Sequence, residues 1–457
     1  MIRRVLIIIF ISFCSTIFSQ NSNILYGFDE IPQTLLLNPG AETNYKFHAG
    51  IPLLSGVSLS YGISGFTLAD LFVSKGDFSS KFDRVFNLLV PEDNIKVNVH
   101  IDILNAGYRY DDKTYLSFGF YEELDLIGYF PQDIATLLYK GNSVYLNRNF
   151  SFSQLSYKAD ILGVLHAGIS RKINKRLNVG ARAKIYSSSF NLYSNNNSGT
   201  ITTTLGQNNI YKHYFTNLDV DVKTSGLVDE DDQFIEDVSR LYKKSFLNGN
   251  LGIGFDFGFT YHVRPDIEVT ASILDLGFIN YSKNIKNSFL NGTHATEGIN
   301  FEYNPSSLLG YWAEFDAELT RNLPRGSNKE SYLLWRPAKI NAAVKYSFGE
   351  IRSKKCFTET YKKYYYNAIG FQLNTVMRPL KPQFSFTSFI EKTLSDKILV
   401  KATHTVDEYS FTNIGFGLTT RIGKVNVYGV VDNVLKLVDL SDANIFSLQF
   451  GVNLIID

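Results

Sequence analysis

The feature that most constrains this chain is an apolar residue at every second position, sustained over runs of about ten residues. From Ile445 to Ile456, Phe446, Leu448, Phe450, Val452, Leu454 and Ile456 fall on one face, and Ser447, Gln449, Gly451 and Asn453 fall on the other. Successive side chains of an extended strand point to opposite faces, so this period belongs to a strand and not to a helix. The alternation returns in Leu177–Ile185, in Ile267–Ile273, and in Leu251–Tyr261, where Phe255, Phe257, Phe259 and Tyr261 oppose Gly254, Asp256, Gly258 and Thr260. Aromatic residues make up 14% of the chain, with 36 Phe and 28 Tyr, which is the composition a strand-rich chain favours.

Soluble sandwiches alternate too, so connection lengths must decide. Short polar turns join strands at Asp111-Asp112-Lys113, Asn174-Lys175-Arg176, Arg264-Pro265-Asp266, Leu394-Ser395-Asp396 and Gly423-Lys424. Long connections lie between them, at 65–95, 123–150, 191–248 and 282–336. Tight turns at one end and long loops at the other mark an all-β, transmembrane, antiparallel up-and-down barrel with short periplasmic turns and long extracellular loops. Strands are expected near 53–63, 97–110, 114–122, 158–171, 177–190, 249–263, 266–281, 337–349, 363–376, 380–391, 396–405, 413–422, 424–432 and 445–456. In this set of about fourteen, every tight turn follows an even-numbered strand, as a barrel with both termini on one side requires. A further hairpin at 198–206 and 211–222 either raises the count to sixteen or extends an outer loop.

The physical driver is that hydrocarbon offers a backbone no hydrogen-bond partner, so the sheet must close while apolar side chains face lipid. Tyr108, Tyr110, Tyr186, Tyr261, Tyr281, Tyr346 and Tyr428, near strand ends, are expected in the interfacial girdles. The alternative is an exported all-β protein with a buried core.

The first twenty residues read as an export signal, with basic Arg3 and Arg4, an apolar run from Val5 to Phe18, and small Ser19 before Gln20. Residues 21–44 then form a periplasmic N-terminal segment and candidate plug, and 45–457 the outer-membrane barrel. Beyond residue 20 no run of about 18 apolar residues occurs, which excludes a conventional membrane-spanning helix. Cys14 lies in the signal, where bulky Phe13 argues against lipid attachment, and Cys356 stands alone. Net charge is +1 and becomes −1 without Arg3 and Arg4, so no field for nucleic acid exists.

Several blocks carry a family resemblance: Leu37-Asn38-Pro39-Gly40, Asp102–Tyr110, Tyr115–Phe120, Phe130–Ile134 through Gly141-Asn142, Gly168–Ile173, Asp275–Ile279 and Val431-Asp432-Asn433-Val434. In these the chain resembles an uncharacterised family of Bacteroidota outer-membrane barrels similar to the PorP/SprF proteins of type IX secretion and gliding. The resemblance implies an integral place in the cell outer membrane and a barrel architecture, with a secretion or gliding link, and it carries no catalytic residues.

No chemistry-bearing constellation stands out. Seven histidines are scattered without metal-ligand spacing. The acidic run Asp229–Asp232 with Glu236 and Asp237 could gather Ca²⁺ ligands but lacks an EF-hand's glycine and spacing, so it reads as a solvated charge run. Gly252, Gly254 and Gly258 alternate within a strand and precede no helix, unlike a phosphate-binding loop. No catalytic, metal or cofactor residues are assigned.

More informative are charges that the alternation turns toward the lumen: Asp160, His166, Arg182, Lys184, Asp256, Glu268, Lys345, Lys397, Lys401 and Arg421. Unpaired charges in a dry interior are costly, so the lumen must be hydrated or laced with ion pairs, and an inserted segment could close it. Residues 31–41 are one candidate insert. The connection 131–141 is another, with a surface helix over Ile134–Tyr139 as its alternative. The functional expectation is a non-enzymatic accessory or docking barrel linked to secretion or gliding machinery, with outer-membrane lipid around it. The alternatives are a transport barrel for a small or hydrophobic solute, in the manner of the FadL fatty-acid transporters, and a loop-borne outer-membrane hydrolase.

Overall fold

A computed structural model of the chain describes residues 22–73, 77–207, 210–228, 245–297, 325–350, 365–395 and 397–457. Residues 1–20, the acidic run from Asp229 to Asp237, and Cys356 lie outside the described residues.

Fourteen antiparallel strands close into a barrel. In chain order they are β1 (Phe47–Gly50 and Val57–Ile63), β2 (Asn94–Arg109), β3 (Thr114–Tyr129), β4 (Tyr157–Lys172), β5 (Leu177–Ser194), β6 (Asn250–Arg264) and β7 (Ile267–Tyr281). They continue as β8 (Tyr332–Trp335 and Lys339–Glu350), β9 (Tyr365–Val376), β10 (Gln383–Ser395), β11 (Ile398–Asp407), β12 (Asn413–Ile422), β13 (Val425–Asp432) and β14 (Ile445–Ile456). Each pairs with its chain neighbour, and the sheet closes where β1 meets β14, from Val57 opposite Phe450 to Gly62 opposite Ile445. Closure leaves no free sheet edge, which is what a wall in hydrocarbon needs. The outer face carries the apolar half of the alternation: Phe255 is 47% exposed, and Phe257, Phe371, Leu373, Phe384 and Phe386 are exposed with it. This is a transmembrane β-barrel, and the expected count of fourteen holds.

The hairpin at 198–206 and 211–222 does not enter the wall. Strands Ser198–Leu205 and Tyr211–Ser225 join Asn149–Ser151, Asn287–Glu297 and Arg325–Asn328 in a second sheet at the long-loop end. Its core of Phe150, Ile201, Phe215 and Leu218 includes Leu137 from the helix Gln132–Lys140. The 131–141 connection is therefore part of this cap, where Tyr139 packs on Phe82 and Phe86 of the helix Phe78–Leu88.

Two strands outrun or break the expected pattern. β3 continues to Tyr129 where a loop was expected from 123, because Glu123 and Asp125 face inward while Leu124 and Leu126 keep the alternation going. In β7 the pairing with β6 slips between Phe255 and Phe257, with Asp275 at φ 60°. One extra residue reverses which face the following residues occupy. Ile279 and Tyr281 therefore end up buried at 1% exposure, and Leu276 is exposed.

Three girdle assignments fail because the side chain faces inward, two by strand parity and one by the register slip. Tyr108, Tyr110, Tyr261 and Tyr346 are exposed on the outer wall, but Tyr186, Tyr281 and Tyr428 are buried. Tyr186 follows outward Ile185, Tyr428 follows outward Val427, and the slip turns Tyr281 inward.

Candidate functional site

Residues 22–45 occupy the lumen. Two short helical turns, Ser22–Leu25 and Thr34–Leu37, shape the segment. Thr34 Oγ1 donates to the Leu25 and Phe28 carbonyls at 3.0 and 2.9 Å and ties one turn to the other. Ile24, Leu25, Phe28 and Ile31 are buried against Tyr428 and Val430 of β13. A segment of this size has backbone groups that the closed wall cannot satisfy, so polar wall side chains take over the task. Ser272 Oγ donates to the Leu37 carbonyl at 2.6 Å, Asn178 Nδ2 to the Gly40 carbonyl at 3.0 Å, and Thr260 Oγ1 to the same oxygen at 2.9 Å. Arg182 reaches the carbonyls of Leu35 and Leu36, and Lys401 Nζ donates to that of Tyr26 at 2.8 Å. Gln33 and Asn453 exchange amide hydrogen bonds at 3.0 Å in each direction. Burial pushes the Tyr26 phenol up to about 12, so it stays neutral inside the barrel.

Glycines on the inner wall face let the segment sit this close. A Cβ at Gly180 would stand 1.9 Å from the Pro39 carbonyl oxygen, and one at Gly258 would stand 2.1 Å from Asn38 Oδ1. Conversely, a Cβ at Gly40 would strike the Gly258 carbonyl at 2.4 Å. The stretch Asn38-Pro39-Gly40 is thus pressed onto bare backbone of β5 and β6.

Beside the plug runs a continuous chain of ion pairs. Arg182 meets Asp256 at 3.0 Å, Asp256 meets Lys184 at 2.9 Å, and Lys184 meets Asp275 at 2.6 Å. Lys339 bridges Asp275 and Glu123 at 3.2 and 3.5 Å. Arg336 then links Glu123 to Asp160, and Lys158 closes on Asp160 at 3.5 Å. Sharing each carboxylate between cations offsets the desolvation that a lone buried charge would suffer.

The plug leaves a vestibule on each side. Toward the short-turn end, about 190 Å³ is lined by Asp29, Glu268, Lys345, Glu391 and Arg421 among others. Toward the long loops, about 150 Å³ lies above Leu25, Gln33 and Leu36 of the plug. Contacts between sequence-distant strands cross above this second space: Arg378 Nη1 pairs with Asp125 at 2.7 Å, and Gln383 donates to the Tyr409 hydroxyl, which itself donates to Asn94.

The model of a family of unknown function, DUF5723, matches residues 39–432. The chain belongs to DUF5723. No curated protein matches it. Among solved structures, the CymD monoaromatic hydrocarbon channel is 9% identical with a TM-score of 0.41, and the match covers 94% of each chain. A Pseudomonas aeruginosa FadL homologue is 8% identical with a TM-score of 0.42 over 96% of each chain. The Pseudomonas putida toluene transporter TodX is 9% identical with a TM-score of 0.35, covering 96% of this chain and 93% of its own.

In this DUF5723 chain, Asp160, His166, Arg182, Lys184, Asp256, Glu268 and Lys401 are buried within the barrel, and Lys345 is half-buried. Lys345 bridges Glu268 at 3.1 Å and Asp29 of the plug at 3.5 Å. Lys397 and Arg421 stand at the short-turn mouth, where Arg421 pairs with Asp457 at 2.8 Å. Lys401 pairs with Glu391 at 3.1 Å. The structure thus gathers Asp160, Arg182, Lys184 and Asp256 into one network and keeps Lys397 and Arg421 out of it. Residues that the sequence reading passed over are Glu123, Asp125, Asp275, Arg336 and Lys339, together with the seat glycines Gly180 and Gly258. Asp125 carried a readable signal, since it sits between Leu124 and Leu126 on the outward row, and Glu123 shares its parity.

Proposed function

We propose that this DUF5723 chain is a non-enzymatic barrel of the outer membrane that passes a small solute through its lumen, with residues 22–45 as the gate. The carrying observation is the pair of vestibules with charged residues in their lining, separated by a segment that hydrogen bonds and close packing hold in place. A structural support would gain nothing from two water-accessible spaces flanking a seated segment, whereas a transport path needs both. Most of these hydrogen bonds are individually worth about 1 kcal/mol, so the gate is strong in sum and releasable stepwise. CymD and TodX are named for hydrocarbon and toluene transport. The reading here rests on the lumen of this chain.

Planar-bilayer recording tests it. The full chain is expected to stay quiet, and a variant lacking residues 22–44 is expected to conduct steadily. A variant that folds and stays as quiet as the full chain would refute a gated lumen. The docking role expected from sequence predicts a different outcome, a stoichiometric secretion or gliding component recovered with the barrel from native membranes.

A further inference from the structure

The vestibule toward the long loops carries three charges that no direct salt bridge among the described residues joins to the ion-pair chain, Lys96, Asp407 and Asp432. Its other charged residues are engaged: Glu123 and Lys339 belong to the ion-pair chain, Arg378 holds Asp125, and Glu408 meets Lys381 at 3.7 Å. Lys96 has no ion pair or hydrogen bond among the described residues, and its ammonium stands 4.1 Å from the centre of the Tyr409 ring. Asp407 is bound by the backbone N–H groups of Tyr409 and Ser410, through one oxygen, and it faces Lys96 as its main opposite charge without a direct ion-pair contact. Asp432 is 4% exposed, and its Oδ1 has no hydrogen-bond partner among the described residues. All three line the same space, together with Leu25, Gln33 and Leu36 of the plug and with Arg378 and Tyr409.

We propose that this chamber binds a small zwitterion, a molecule with one ammonium and one carboxylate as in a free amino acid. The proposal rests on the transport reading and names its substrate class. The ammonium lies with Asp407 and Asp432, and the carboxylate lies with Lys96. Charge decides the class. A hydrocarbon would strip water from three ions and return no interaction, which is the costly case for a buried charge. A zwitterion replaces that water with charge-assisted hydrogen bonds at both ends. Size agrees, since about 150 Å³ is well under the roughly 300–1,000 Å³ of sites for drug-sized ligands. Two carboxylates against one ammonium make the cation-binding end the stronger.

The test is equilibrium dialysis of radiolabelled L-alanine against the purified full chain in detergent, with ethylamine, propionate and toluene as competitors. Saturable binding is expected, with ethylamine competing better than propionate and toluene not competing. Lys96→Met and Asp432→Asn are each expected to weaken binding at least tenfold, while Lys392→Met, on an exposed residue outside the chamber, leaves it unchanged. Retained heat-modifiable gel mobility shows that the variants fold. Absence of saturable alanine binding, equal competition by toluene, or binding that survives both chamber substitutions overturns the proposal. Conductance of the barrel lacking residues 22–44 is scored separately. If that barrel conducts and alanine does not bind, the substrate class fails and transport stands.

Discussion

Replacing Gly180 with alanine adds one methyl group where the structure has no room for it. The new Cβ would lie 1.9 Å from the Pro39 carbonyl oxygen, 2.1 Å from its carbon and 2.5 Å from the Gly40 nitrogen. All three are backbone atoms, so no side-chain rotation relieves the clash. The wall is fixed by paired strands on both sides of Gly180, opposite Gly258 on β6 and Ser170 on β4. The plug is what must move. Overpacking of this kind costs about 1–3 kcal/mol. Shifting residues 39–41 also strains the bonds from Asn178 and Thr260 to the Gly40 carbonyl, and losing two such bonds costs about 2 kcal/mol more. The seated state is then weaker by about 3–5 kcal/mol, which moves the ratio of seated to released plug by roughly two to three and a half powers of ten. Single-channel recording of the full-length variant should show frequent openings where the parent is closed. Gly429→Ala is the control, because a Cβ there meets nothing within 4 Å. If Gly180→Ala folds and stays as closed as Gly429→Ala, the plug is not seated on β5 as described.

Arg182→Met should destabilise the barrel by about 2–3 kcal/mol in denaturant titration, since it removes charged donors from two plug carbonyls while Lys184 still meets Asp256 at 2.9 Å; an unchanged midpoint would show that the buried cation does not hold the plug. Phe255→Lys places a charge on the lipid face and should cost about 2–4 kcal/mol when folding into lipid vesicles is titrated with urea. Leu137→Ala opens the cap core beside Phe150 and Phe215 and should cost about 2–5 kcal/mol there. Its readout is faster protease cleavage of the cap with the heat-modifiable mobility of the wall unchanged.

The wall was legible because lipid imposes one rule on every strand. An outward position must be apolar wherever it falls, so Phe255, Phe371 and Leu373 announce their face without knowledge of any partner. Inward positions obey no such common rule. By polarity Glu123 and Asp125 read as the start of a loop, although Leu124 and Leu126 continue the outward row. Residue type alone points Tyr186 and Tyr428 to the girdle, although outward Ile185 and Val427 put them on the inner face. A count carried straight from Ile267 misplaces Tyr281, because the slip beside Asp275 reverses it; the break shows only as Leu274 and Asp275 falling on the wrong faces of that count.

The seat of the plug shows where legibility ends. Gly180 and Gly258 were visible as small residues on an inner face, but a glycine in a strand records only that something approaches its backbone. What approaches is Asn38-Pro39-Gly40, about 140 and 220 residues away in sequence, and only closure of the barrel brings the three stretches together. The same holds for the ion-pair chain, where Glu123, Asp160, Arg182, Asp275 and Arg336 come from five different strands or strand breaks. A barrel's outer surface is therefore written strand by strand, while its lumen is written across strands. The proposed solute path lies in the lumen, so a chain can declare its architecture in every hairpin and keep such a path unreadable until the sheet is closed.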